Sequence, residues 1–159
     1  MELSYPSDTF PGPPSLRMQF PASWIAHPAT STVISAVDQD SPGDFGTNVV
    51  AIVSRVLDEH TLEEMVRVMW AETIARYPGA QQLESRRATT AGQPSASAVI
   101  ALRPPDTPVP IAQVQAILFI PTADPAQRDL VQLHGTCTLD VLPTYQPIFD
   151  AIFASLVVE

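Results

Sequence analysis

The stretch from Asn48 to Gly79 constrains the fold more than any other. Its apolar run, Val49 to Val56, continues on both side-chain parities, the pattern of a strand covered on both faces. A polar hinge follows, and then a helix with its own start and stop signals. Thr61 and Glu64 stand at capping-box spacing, where the hydroxyl accepts from the Glu64 amide and the carboxylate reaches back. Leu62, Val66, Met69, Thr73 and Tyr77 fall on one helical face, flanked by Met65 and Trp70. Glu63–Arg67 and Glu72–Arg76 are spaced for i,i+4 ion pairs, and Pro78-Gly79 ends the helix. Val68, Ala71 and Ala75 occupy the outer face. They are small and uncharged, and form a secondary candidate docking surface.

A strand followed by an amphipathic helix needs a sheet to bury both, and the rest of the chain supplies one. Residues 1–15 carry four prolines and read as an extended tail, with Tyr5 and Phe10 available to pin it; residues 16–159 read as one α+β domain. Leu16, Met18 and Phe20 alternate with Arg17 and Gln19 as a half-buried strand, which Pro21 breaks just before Trp24. Thr32 to Val37 reads as a further strand, and DQDSPGDFG as a loop. Its acids, Asp38, Asp40 and Asp44, lack the full ligand series of a calcium loop and its closing Glu. Gln81–Thr89 and Ser95–Leu102 read as strands around a Gly92-Gln93-Pro94 turn, and Ile111–Ile120 and Leu130–Leu139 as a hairpin. A last helix opens at Thr144 with Pro147 in its first turn. It carries the stripe Tyr145, Ile148, Phe149, Ile152, Phe153 and Leu156. The expected architecture is mainly antiparallel, six to seven strands flanked by helices in an α/β/α sandwich.

Composition excludes several function classes. The net charge is −9, all eight basic residues are Arg, and the only adjacent basic pair is Arg86-Arg87, so the chain lacks the clustered positive charge that nucleic acid requires. The absence of lysine points to a GC-rich bacterial genome. Cys137 is the only cysteine; it cannot close an internal disulfide, and its strand context makes it a core residue. No metal site, cofactor or glycine-rich phosphate loop is called for. No apolar run reaches the length of a membrane span, and the N-terminus has no basic and apolar regions of a leader. The expectation from these features is a cytoplasmic protein.

The polar side of the last hairpin is the main candidate site. With the loop centred near Asp124–Pro125, Gln115 faces His134, Gln113 faces Thr136 and Ile117 faces Gln132. Alternation then gathers Gln113, Gln115, Gln132, His134, Thr136 and Thr138 on one sheet face. Val114, Ala116, Leu118, Val131, Leu133 and Cys137 take the other. That polar face is either a wet surface or the floor of a groove that receives a partner. His134 could titrate there, but no residue is spaced to act with it.

The order of elements resembles a known group. LRMQFPASW is similar to the strand-Pro-Trp opening of Mog/PsbP-like proteins, and NVVAIVSRVLDEHTLEEMVRVM resembles the strand and first helix of that group. The hairpin and the closing TYQPIFDAIFASLVV match in order. Within the group the chain resembles the actinobacterial LpqN/LpqT lipoproteins over residues 16–158, but without their signal peptide and lipidated cysteine. The resemblance implies an antiparallel sheet with helices on its faces and a non-catalytic, protein-binding role; it carries no catalytic residues over.

Three functions follow as expectations. The first is a non-enzymatic adaptor or chaperone-like module that binds another protein, with a homodimer left open. The second is a carrier of a small apolar ligand near Trp24, Trp70 and Phe153, which needs a pocket of roughly 300 Å³ or more. The third is a hydrolase or isomerase using His134, which needs an acid within hydrogen-bond reach.

Overall fold

The computed structural model describes residues 1–7 and 9–159; of the tail, position 8 lies outside the described residues. The elements run β1 (Leu16–Arg17), β2 (Trp24–Ala26), β3 (Ile34–Asp38), β4 (Asn48–Leu57), α1 (Leu62–Arg76), β5 (Gln81–Thr90), β6 (Gln93–Leu102), β7 (Ile111–Pro121), β8 (Gln127–Thr138), a 3-10 turn (Leu139–Val141), α2 (Leu142–Ala154) and β9 (Val157–Val158). Seven strands form one antiparallel sheet in the order β2-β3-β4-β8-β7-β6-β5, and β1 pairs with β9 apart from it. Two meanders, β2-β3-β4 and β5 to β8, are thus joined through the β4–β8 pairing, and α1 carries the chain from β4 across to the edge strand β5. The helices lie on opposite faces, giving the expected α/β/α sandwich.

The face under α2 is the main core. Val49, Ala51, Ala112, Leu118, Val131, Leu133 and Cys137 are all fully buried there, with Phe149, Ile152 and Phe153 above them. Trp24 lies edge-on to Phe149 at 6.4 Å between ring centroids. The Tyr145 hydroxyl donates to Asp38 at 2.7 Å and fastens α2 to β3. Burial alone would raise the Asp38 pKa; bonds from Tyr145, Ser23 and the Asp40 amide outweigh it and hold the carboxyl below its usual range.

Under α1 the packing is lighter. Leu62, Met65, Val66 and Met69 pack over Ala96, Ile117, Phe119 and Leu130, while Trp70 and Tyr77 pack over Ile100, Leu102 and Ile111. The predicted stripe therefore faces the sheet, but no α1 residue is fully buried. The capping box forms as read, with Glu64 N–H to Thr61 Oγ1 at 3.2 Å and Thr61 N–H to Glu64 Oε2 at 2.8 Å.

Several expectations are corrected. The strand expected over Leu16–Phe20 shortens to Leu16–Arg17, although Met18 and Phe20 still pack on the core. Trp24–Ala26 forms a strand where none was expected. The Glu63–Arg67 pair does not form, because β5 brings Arg87 to 3.0 Å from Glu63, and Glu72–Arg76 is not among the ion pairs of the described residues. The β5–β6 turn is Ala91-Gly92, with φ of 50° and 74°, the two left-handed residues of a two-residue hairpin. Helix α2 begins two residues early, so Pro147 sits inside it rather than in its first turn. The freed carbonyl is tolerated because this side of α2 is exposed: both Pro143 and Pro147 face solvent. Only Val49 and Ala51 of β4, both on the α2 side, are fully buried; Val50 and Ile52 on its other side are half-buried.

Candidate functional site

That half-covered side of β4 is where a groove forms. Helix α1 lies over β6 and β7 and stops short of β4, so its C-terminal half becomes one wall. The wall is Met69, Glu72, Thr73, Ala75, Arg76 and Tyr77; the floor is Val50 and Ile52 of β4, Gln132 and His134 of β8, and Gln113 and Gln115 of β7. Leu102 and Ile111 close one end, and the groove measures ≈ 670 Å³.

The hairpin register sets the floor. Gln115 pairs with His134, Gln113 with Thr136 and Ile117 with Gln132, as alternation about the 122–127 loop requires. Of the six face residues, four line the groove. Thr136 is buried beneath them and accepts a bond from Gln113 Nε2 at 3.2 Å. Thr138 leaves the face at the strand end and borders a separate cleft with Asp44, Asp106 and Asp140. Gln115 Nε2 donates to Gln113 Oε1 at 2.6 Å, so the two β7 amides orient one another. Gln132 makes no side-chain hydrogen bond within the described residues. Val68, Ala71 and Ala75 are exposed on α1, with Ala75 on the groove rim.

Burial pushes the His134 imidazole down to about 4, so it is neutral at pH 7. Its Nδ1 is buried without a hydrogen-bond partner, and no carboxylate holds it. The acid that a hydrolase or isomerase would need on His134 is not in reach. Among the described residues no group of three or more His, Cys, Asp or Glu is placed to hold a metal ion. The carrier reading fails on placement. Trp24 and Phe153 lie in the solid core under α2, whereas Trp70 is across the sheet beneath α1. The cleft beside Trp70 holds only ≈ 50 Å³.

The depressed His134 pKa has a measurable consequence. Between pH 6.5 and about 4 the unfolded chain takes up this proton and the folded chain does not. Stability contributed by the neutral ring is therefore complete above pH 6.5 and falls by up to about 3 kcal/mol as pH drops through that window. Denaturant melts at stepped pH should show this slope, and His134→Gln should flatten it; an unchanged slope in the variant would place the titration elsewhere.

Reading residues by strand alternation could not find Val50, Ile52, Glu72, Thr73, Arg76 and Tyr77 as groove residues. Thr73 and Tyr77 belong to the stripe that faces the sheet, and a stripe carries no sign of where the sheet beneath it is uncovered. The one available signal was polarity: a threonine within an apolar stripe.

No protein-family model matches the chain, and no curated protein matches it in sequence. Its architecture does have solved counterparts. LpqN of Mycobacterium tuberculosis, a protein involved in cell envelope biogenesis, superposes with a TM-score of 0.76 at 17% identity, over 93% of this chain and 85% of that one. CyanoP, the cyanobacterial PsbP of Synechocystis sp. PCC 6803, gives 0.59 at 15% identity over 93% and 95%. The Ran-binding protein Mog1p of Saccharomyces cerevisiae gives 0.57 at 9% identity over 90% and 89%. Identities this low speak to architecture: the chain has the Mog1p/PsbP-like fold.

Proposed function

We propose that this chain is a non-enzymatic protein-interaction module, an adaptor or chaperone-like protein of the LpqN/PsbP-like type, that receives a protein partner in the groove between α1 and strands β4, β8 and β7. The observation that carries this reading is the groove itself. Its floor presents uncharged hydrogen-bonding groups, Gln132, Gln115 and His134, between apolar side chains at Val50, Ile52 and Tyr77. A surface of mixed apolar and neutral polar groups suits a protein interface better than a charged ligand. The fold supports the reading by analogy only: Mog1p is a Ran-binding protein, and function resides in sites rather than folds. A cytoplasmic location is part of the proposal, and recovery of the protein in an envelope fraction would count against it.

A photo-crosslinking residue at Gln132, introduced into the full chain in its native host, tests the site. A discrete crosslinked product from Gln132, absent when the crosslinker stands at the exposed Gly79, is the expected result. No product at Gln132, or the same products from both positions, would overturn it.

A further inference from the structure

Resting on the reading of the groove as a protein-docking site, we infer that the group it receives beside His134 and Gln115 is a carboxamide, the side chain of an asparagine or glutamine on the partner. The groove is polar without net charge. Gln113, Gln115 and Gln132 line its floor, and the two charges on its α1 wall, Glu72 and Arg76, are of opposite sign. A single charge entering there loses its hydration and meets one attraction and one repulsion. A neutral polar group exchanges its hydrogen bonds to water for hydrogen bonds to the floor.

The bonding pattern of the floor selects the group. His134 Nδ1 is buried without a partner. A buried N–H with no acceptor is costlier than a bare ring nitrogen, so the neutral ring carries its proton on Nε2. Nε2 is not among the buried unpartnered nitrogens of the described residues, and it offers a donor to the groove that His134 lines. Gln115 stands directly opposite His134 on β7. Its Nε2 is engaged by Gln113 Oε1, and the Gln113 amide is in turn held by Thr136, so Gln115 keeps its Oε1 as an acceptor. One donor and one acceptor thus stand on neighbouring strands, about 5 Å apart at Cβ. Val50, opposite His134 on β4, bounds the donor with apolar surface. A carboxamide holds an acceptor oxygen and a donor N–H on one side and answers both groups. A trans peptide unit points its two groups apart, a carboxylate offers acceptors only, and an ammonium offers donors only.

Proton–nitrogen NMR on the full chain, with acetamide as the probe, tests this chemistry. The His134 ring should show Nε2 protonated and Nδ1 bare. Acetamide, titrated to about 0.5 M because so small a ligand binds weakly, should move the His134 ring and Gln115 side-chain signals along a saturable curve. N,N-dimethylacetamide keeps the oxygen and lacks the N–H, and acetate has no donor; each should bind at least about fivefold more weakly. His134→Phe, with its fold checked by circular dichroism, should lose the acetamide response at Gln115. Should that variant not fold, Gln115→Met removes the acceptor and should lose the response at His134. A ring protonated on Nδ1, no saturable response to acetamide, equal responses to the three probes, or a response kept in the folded variant overturns the inference. Such a failure with the Gln132 crosslink still formed leaves the docking reading standing with a different ligand group; failure without a crosslink removes both.

Discussion

Arg55→Ala is expected to lower folding stability by about 3–5 kcal/mol. Arg55 and Asp129 are directly opposed on β4 and β8. The guanidinium grips the carboxylate with two bonds, Nε to Oδ1 at 3.0 Å and Nη2 to Oδ2 at 3.1 Å. Asp129 is only 4% exposed, so alanine at 55 leaves a buried carboxylate without its counter-charge, and that residual desolvation is the dominant cost. The neighbouring carboxylate keeps the Arg55 pKa raised, so the guanidinium is always charged. Arg55 also holds the N-terminal tail, donating to the carbonyls of Pro11 at 2.8 Å and Gly12 at 3.2 Å. The variant should therefore lose amide protection around residues 11 and 12 as well as global stability. Replacing both partners, Arg55→Met with Asp129→Leu, should recover most of the loss. If the single variant melts within about 1 kcal/mol of the parent in urea, the pair behaves as a surface salt bridge and the argument fails.

The second large effect is Gly135→Ala, expected to cost about 3 kcal/mol or more. Gly135 lies on the α2 side of β8, and a Cβ there would stand 2.5 Å from both Cγ and Cδ1 of Phe149 and 2.9 Å from Cδ2. Phe149 is fully buried and wedged against Trp24 and Tyr145, so the ring cannot swing away. Either α2 lifts from the sheet or the ring leaves its rotamer, and both forfeit packing across the core. The close approach of helix and sheet depends on this one absent side chain. The double variant Gly135→Ala, Phe149→Leu should lose less than the sum of the two single losses, because removing the ring removes the collision. Additive losses would mean that the helix rather than the ring takes up the strain.

These two residues also mark how far the sequence could be read. Gly135 interrupts the alternation of β8 without any local sign that an aromatic ring arrives from α2, at position 149. Arg55 and Asp129 each look like ordinary charged residues near a strand end; only the β4–β8 pairing, which joins distant parts of the chain, makes them opposite neighbours. By contrast, the β7–β8 register was legible to the residue, because a hairpin ties its register to a short loop and to alternation. The α1 capping box was legible for the same reason, since its two bonds connect residues three apart. The candidate site was legible in part. Gln113, Gln115, Gln132 and His134 were grouped by alternation within one hairpin, but the wall that turns their face into a groove comes from α1, and its position over β6 and β7 is a matter of packing.

By itself, then, the sequence determined what local periodicity and short loops can carry: the hairpin and its register, the capped helix, the apolar stripe of α2, and the separation of a polar from an apolar sheet face. The tertiary structure alone decided which strands become neighbours across long connections, that Trp70 and Trp24 lie on opposite sides of the sheet, and that α1 leaves part of that sheet uncovered. The physical reason is range. Backbone hydrogen bonds and side-chain alternation act over a few residues and leave a mark in the order of amino acids. The lateral placement of a helix on a sheet is settled by many weak contacts at once, such as those of Met69, Trp70 and Tyr77 with β6 and β7, and no single residue records it.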